Sequence, residues 1–187
     1  MLALLAATAA PAVELHIQFG ALERMLSEQV FTQEGRRYVH GSQSAKCNFA
    51  YLEKPKVQAD AGRLKIQARF TGRSALNMFG QCVGMGDAFD LVVTARPDYK
   101  NGSLRLQDVK VLSDGKNGFY IRRVCSAMEA SLARDFRYPL EKTATAILED
   151  NTTQPGYKRE LKSFDVSEVR VSAEALVLVL DYRLTVK

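Results

Sequence analysis

Hydrophobic and polar residues alternate with a period of two along most of this chain, the pattern of strands with one dry and one wet face. Val13, Leu15, Ile17 and Phe19 alternate with Glu14, His16 and Gln18. Leu64, Ile66, Ala68 and Phe70 alternate with Arg63, Lys65, Gln67 and Arg69, and Phe89, Leu91, Val93 and Ala95 form the next dry face. Turn residues separate these runs. Asp60-Ala61-Gly62 closes one hairpin, and Asn101-Gly102 is the pair that a tight two-residue turn favours. Beyond it the apolar parity passes through Leu104 and Leu106, then slips at Asp108 before Val109 and Val111, which predicts a β-bulge. Pro55 interrupts the run that starts with Cys47, Phe49 and Tyr51, and predicts an edge or a bulge. Residues 47–111 thus read as a curved antiparallel meander, with the glycine-rich segment 72–86 expected as a flexible connection.

The period changes over residues 117–136. Ile121, Val124, Cys125, Met128, Leu132 and Phe136 recur at intervals of three and four, so they share one stripe of a helix. Residues 20–30 read as a short helix with Leu22, Met25, Leu26 and Val30 on one side, and residues 32–41 as a polar hairpin carrying Arg36, Arg37 and His40. Pro139 ends or kinks the long helix, because its ring blocks the preceding backbone bond. Residues 143–150 are expected to be extended and 157–164 a small basic helical turn. The last strand, 175–186, sends Leu176, Leu178 and Leu180 one way and Val177 and Val179 the other, so its first half is expected to be covered on both sides. The expected fold class is α+β: a strongly curved antiparallel sheet wrapped around one long central helix, with a short N-terminal helix.

Composition narrows the partners. The chain has 187 residues, 47% of them hydrophobic, enough for one domain with a real core. Its formal charge of +5 favours anionic partners, and peripheral contact with an anionic membrane surface is one such expectation. Opposite charges are interspersed, and no basic array is interleaved with aromatic residues, so nucleic acid is not expected as a partner. Leu2 to Ala10 resembles the apolar region of a secretory signal, and Ala10-Pro11-Ala12 offers a small-x-small cleavage site. Residues 1–12 are therefore expected to be a signal-peptide remnant, 13–187 the single domain, and the location periplasmic or secreted. Cys47, Cys82 and Cys125 form no CxxC pair, and His16 and His40 lie far apart, so neither a metal nor a cofactor is expected. No GxSxG elbow occurs and Gly84-Met85-Gly86 is not followed by a GK[ST] phosphate loop, so no catalytic residue is named and an enzyme is not expected.

The segments RLKIQARFTG, LNMFGQ, DLVVTARPDYKNGSLRLQDVKVL and FDVSEVRVSAEALVLVL carry a resemblance. They resemble small bacterial members of the tubular lipid-binding (TULIP) superfamily, the YceB-like periplasmic proteins. The resemblance implies an apolar groove between helix and sheet that takes a lipid or other hydrophobic small molecule. The residues implied to line it are Phe70, Phe89, Leu91, Val93, Leu104, Leu106, Ile121, Cys125, Met128, Leu132 and Phe136. The competing expectation is a cell-envelope interaction or structural module with a filled core, using the strand at 175–180 as a partner edge. In the expected topology all three cysteines lie toward one end of the body. A disulfide involving Cys47 or Cys82 is predicted, with Cys125 as a candidate partner that would staple helix to sheet.

Overall fold

The computed structural model describes residues 13–115, 118–150, 152 and 156–187, so the segment expected to be a signal remnant lies outside the described residues. Two antiparallel sheets make up the body. One has the order β2-β3-β4-β5-β6, from Arg36–His40, Asn48–Asp60, Arg63–Met78, Gln81–Lys100 and Ser103–Ser113. The other has the order β1-β8-β7, from Val13–Gln18, Ala175–Val186 and Arg159–Val171. Three helices accompany them: α1, Phe19–Gln29; α2, Phe119–Asp135; and α3, Leu140–Leu148.

The alternating runs form the strands they predict. Asp60 faces Arg63 and Lys100 faces Ser103 across two-residue turns. Asn101 and Gly102 both adopt positive φ, 52° and 72°, which explains that residue pair at the turn. Asp108, at φ 49°, is the bulged residue of β6, and the register shifts there between Thr94 and Arg96 of the partner strand. A second bulge falls at Lys54-Pro55, between the pairs Glu53–Arg69 and Lys56–Gln67. Bulges increase local twist, and this sheet curls.

The expected α+β class with one long central helix is overturned. Among the described residues the protein is mostly β, 58% strand and 22% helix, with three short helices and a curled antiparallel sheet. Helix α2 runs for 17 residues and buries only Ile121, Cys125 and Met128. At Phe136 the backbone turns extended, and Tyr138 then pairs with Leu104 as an isolated β-bridge, so the helix stops short of Pro139. A periodic stripe shows that one face of a helix is buried, but not how much sheet that face covers. Here it covers part of the sheet, and α1, α3 and the second sheet stand over the rest.

Three local expectations also change. Residues 72–86 are not a flexible connection: they form the outer half of the β4–β5 hairpin, paired in register from Gly72–Asp87 to Met78–Gln81. Glycine and apolar residues suggest a loop there, yet Cys47–Cys82 ties the ribbon to the start of β3, with a Cα–Cα distance of 5.2 Å. Residues 140–148 are helical, with Pro139 as the N-cap, a site where the missing N–H costs nothing. Residues 159–163 are strand, because β7 pairs along β8 from Arg159–Val186 to Val171–Leu176.

Candidate ligand-binding cavity

One apolar sheet face organises the interior. On β5 it runs through Phe89, Leu91, Val93, Ala95 and Pro97, every one of them buried. On β4 it runs through Leu64, Ile66, Ala68, Phe70 and Gly72. Gly72 is a packing requirement: a Cβ there would sit 2.9 Å from the Phe70 ring. The face divides lengthwise into two regions with different cover.

Under α2 the face is packed shut. Phe70, Phe89, Leu91 and Val93 form a cluster with Val109, Val111, Ile121, Cys125 and Met128, and Val124, Leu132 and Phe136 pack against it. The Phe70 and Phe89 rings lie 4.9 Å apart, and Leu91 is completely buried. The edge amide of Val111 donates to Glu129 at 3.2 Å, which fixes α2 along β6. Cys125 is a free, buried thiol, and burial raises its pKa, so it stays protonated as a small apolar side chain. The disulfide therefore joins two parts of the sheet rather than sheet to helix.

Beyond α2 the same face borders a cavity of about 570 Å³. Val57, Leu64, Ile66, Pro97, Leu104 and Leu106 form the floor on the larger sheet. Ile17, Leu176 and Leu180 come from the smaller sheet, Leu22, Met25 and Leu26 from α1, and Leu140, Ala144 and Leu148 from α3. Helix α1 buries no residue fully, because its apolar side looks into this space instead of into packed atoms. Val13, Leu15, Ile147 and Tyr182 line the cavity while exposed to solvent, so they form its rim. Glu14 and Arg105 are the lining residues with charged side chains. Glu14 is held by His16 and Arg170, and its pKa is lowered by those hydrogen bonds. Near the cavity, burial raises the pKa of Tyr99, with Glu141 and Asp165 adding to the effect, which keeps its hydroxyl neutral.

Of the eleven residues named from sequence, Leu104, Leu106 and Phe136 line this cavity. Phe70, Phe89, Leu91, Val93, Ile121, Cys125, Met128 and Leu132 belong to the packed region under α2. Missing from that list were α1, α3, β1 and β8, which supply most of the lining. The stripe Leu22, Met25, Leu26 was visible in the sequence; what it faced was not.

Strand β8 is the middle strand of its sheet, between β1 and β7, so residues 175–180 offer no free edge to a partner. Its first five residues are buried, as expected for cover on both sides. Leu178 packs inward. On the other side Val177 pairs with His16 and Arg170, and Val179 with Glu14 and Glu168. The Arg170–Glu14 ion pair spans β8, and the stems of these side chains cover the two valines.

Comparison of the chain with known protein families, with curated proteins and with solved structures finds no match.

Proposed function

We propose that this chain binds or carries a lipid or another hydrophobic small molecule in the cavity between the two sheets, and that it works outside the cytoplasm. The observation that carries the reading is the cavity of about 570 Å³ with an almost wholly apolar lining. That volume lies within the range of about 300–1,000 Å³ for small-molecule sites. A mostly apolar hollow of this size forfeits packing that α1 and α3 would otherwise gain. An acyl chain restores it at about 0.8 kcal/mol per buried CH₂, so some ten methylenes outweigh the several kcal/mol cost of association. The exposed apolar rim at Val13, Leu15 and Ile147 supplies an entry route for such a chain.

The Cys47–Cys82 disulfide is compatible with an exported protein, since such bonds persist in oxidising compartments. The resemblance to YceB-like lipid-binding proteins belongs to this proposal for its ligand class alone, because no long central helix is formed. Native mass spectrometry after gentle purification tests the reading. Co-purified phospholipid or fatty acid at one per chain supports it. A chain that is always ligand-free and refuses added fatty acid points instead to a structural module.

A further inference from the structure

The outer β4–β5 hairpin carries the apolar sheet face out of the body. Beyond Gly72 that face continues as Leu76 and Met78 on β4 and Val83 and Met85 on β5, all exposed, with Leu76 opposite Val83. Leu76 is 74% and Met85 77% exposed, and Phe79 at the tip is fully exposed. Residues 74–86 hold no charged side chain. Phe79 occupies the first central position of the turn at φ 53°, followed by Gly80 at φ 81°. Such turns favour Asn or Gly at that position, and a bulky side chain there is unfavourable. The turn thus sacrifices local stability to hold a phenyl ring in solvent, on a ribbon tied to the start of β3 by Cys47–Cys82, with Cys82 opposite Asn77 one pair before the turn.

Cations flank this finger. Lys46 precedes Cys47, whose partner Cys82 lies part-way along the ribbon, and Arg73 lies opposite Gly86 at the root; both are exposed. Glu129 of α2 meets Val111 and Tyr138 meets Leu104, so the N-terminal end of α2 points toward the root and carries exposed Phe119, Tyr120, Arg122 and Arg123. The acidic residues on this side are Asp87, Asp90 and Asp114, of which Asp90 lies 3.2 Å from Arg69.

We infer that the finger inserts into the interface of a membrane that contains anionic phospholipid. An uncharged apolar tip with a collar of flanking cations matches acyl chains and the anionic headgroups beside them. A second copy of the chain would bring the same collar against itself, and like charges repel. The inference stands apart from the cavity: a filled or empty cavity leaves the finger unchanged.

Sedimentation of the full, oxidised chain with vesicles tests this. Binding is expected to phosphatidylcholine vesicles that contain phosphatidylglycerol, with weaker binding as salt rises and little to phosphatidylcholine alone. Phe79→Asn installs a residue the turn prefers, so it should unfold no more readily than the parent, yet bind vesicles about tenfold less. Leu112→Asp, at an exposed apolar site on β6 outside the finger, should bind as the parent does. Ala144→Trp, which fills the cavity, should also keep vesicle binding, so failure of the cavity reading leaves this result intact. A parent chain that ignores both vesicle types overturns the inference, as does a Phe79→Asn variant that binds undiminished. Concentration-dependent dimers abolished by Phe79→Asn, without vesicle binding, would assign the finger to a second copy instead.

Discussion

Phe89, Leu91 and Val93 of β5 lie under α2 in a closed core, while Pro97 on the same face looks into open space beneath α1 and α3. Both regions present the same kind of side chain from the same strands, so residue type does not separate them. Cover does. Helix α2 lies along β6 and places Ile121, Cys125 and Met128 directly on the sheet. Helices α1 and α3 bring stripes that are at least as apolar, yet α1 has no buried residue and α3 only Leu140. An apolar stripe is a demand for cover, and in the hollow region protein atoms leave that demand partly unmet.

The comparison predicts unequal responses to truncation. Phe89→Ala in the packed region should cost about 3–5 kcal/mol in denaturant unfolding, the range for large aromatic deletions in a core. Met25→Ala on the cavity wall should cost about 1 kcal/mol or less, because few contacts are lost. Equal losses would erase the distinction between the regions. Next in size, replacing Cys47 and Cys82 together by Ser should cost about 2–4 kcal/mol, read by the same unfolding experiment. That variant should also loosen the finger, seen as faster amide exchange over residues 74–86, with the α2 core protected as before.

A ligand should stabilise through the hollow region alone. Fatty acid at a hundredfold excess over its dissociation constant should add about 2.7 kcal/mol, measured as a rise in melting temperature. The rise should vanish in Ala144→Trp and survive in Cys125→Ala, whose site lies in the packed cluster. The smallest effect is expected at Glu14. Hydrogen bonds from His16 and Arg170 hold its carboxyl below the ordinary range. A pKa depressed by folding contributes stability above the unfolded value, and that contribution is lost as pH falls through the folded one. Glu14→Gln should therefore melt slightly earlier than the parent at neutral pH, and the two curves should converge in acid.

Much of the strand framework was legible because period-two alternation and turn pairs are local. Asn101-Gly102, the parity slip at Asp108 and the break at Pro55 each mark a feature found at that residue. What failed depended on partners distant in the chain. Residues 72–86 look like a loop until Cys47 is placed beside Cys82. Residues 159–163 look helical until β8 lies alongside them. The position of the cavity is hidden for a related reason. Phe70, under Ile121 and Met128 of α2, shares a face with Leu64 and Leu104, and alternation alone cannot tell where along that face the helix ends.

Titration with a fluorescent long-chain fatty acid, comparing the parent with Ala144→Trp, bears most directly on the hollow region. Saturable uptake at one molecule per chain by the parent, lost in Ala144→Trp while the fold persists by circular dichroism, is the expected result. No uptake by the folded parent, or uptake that Ala144→Trp leaves untouched, would contradict a ligand site between the two sheets.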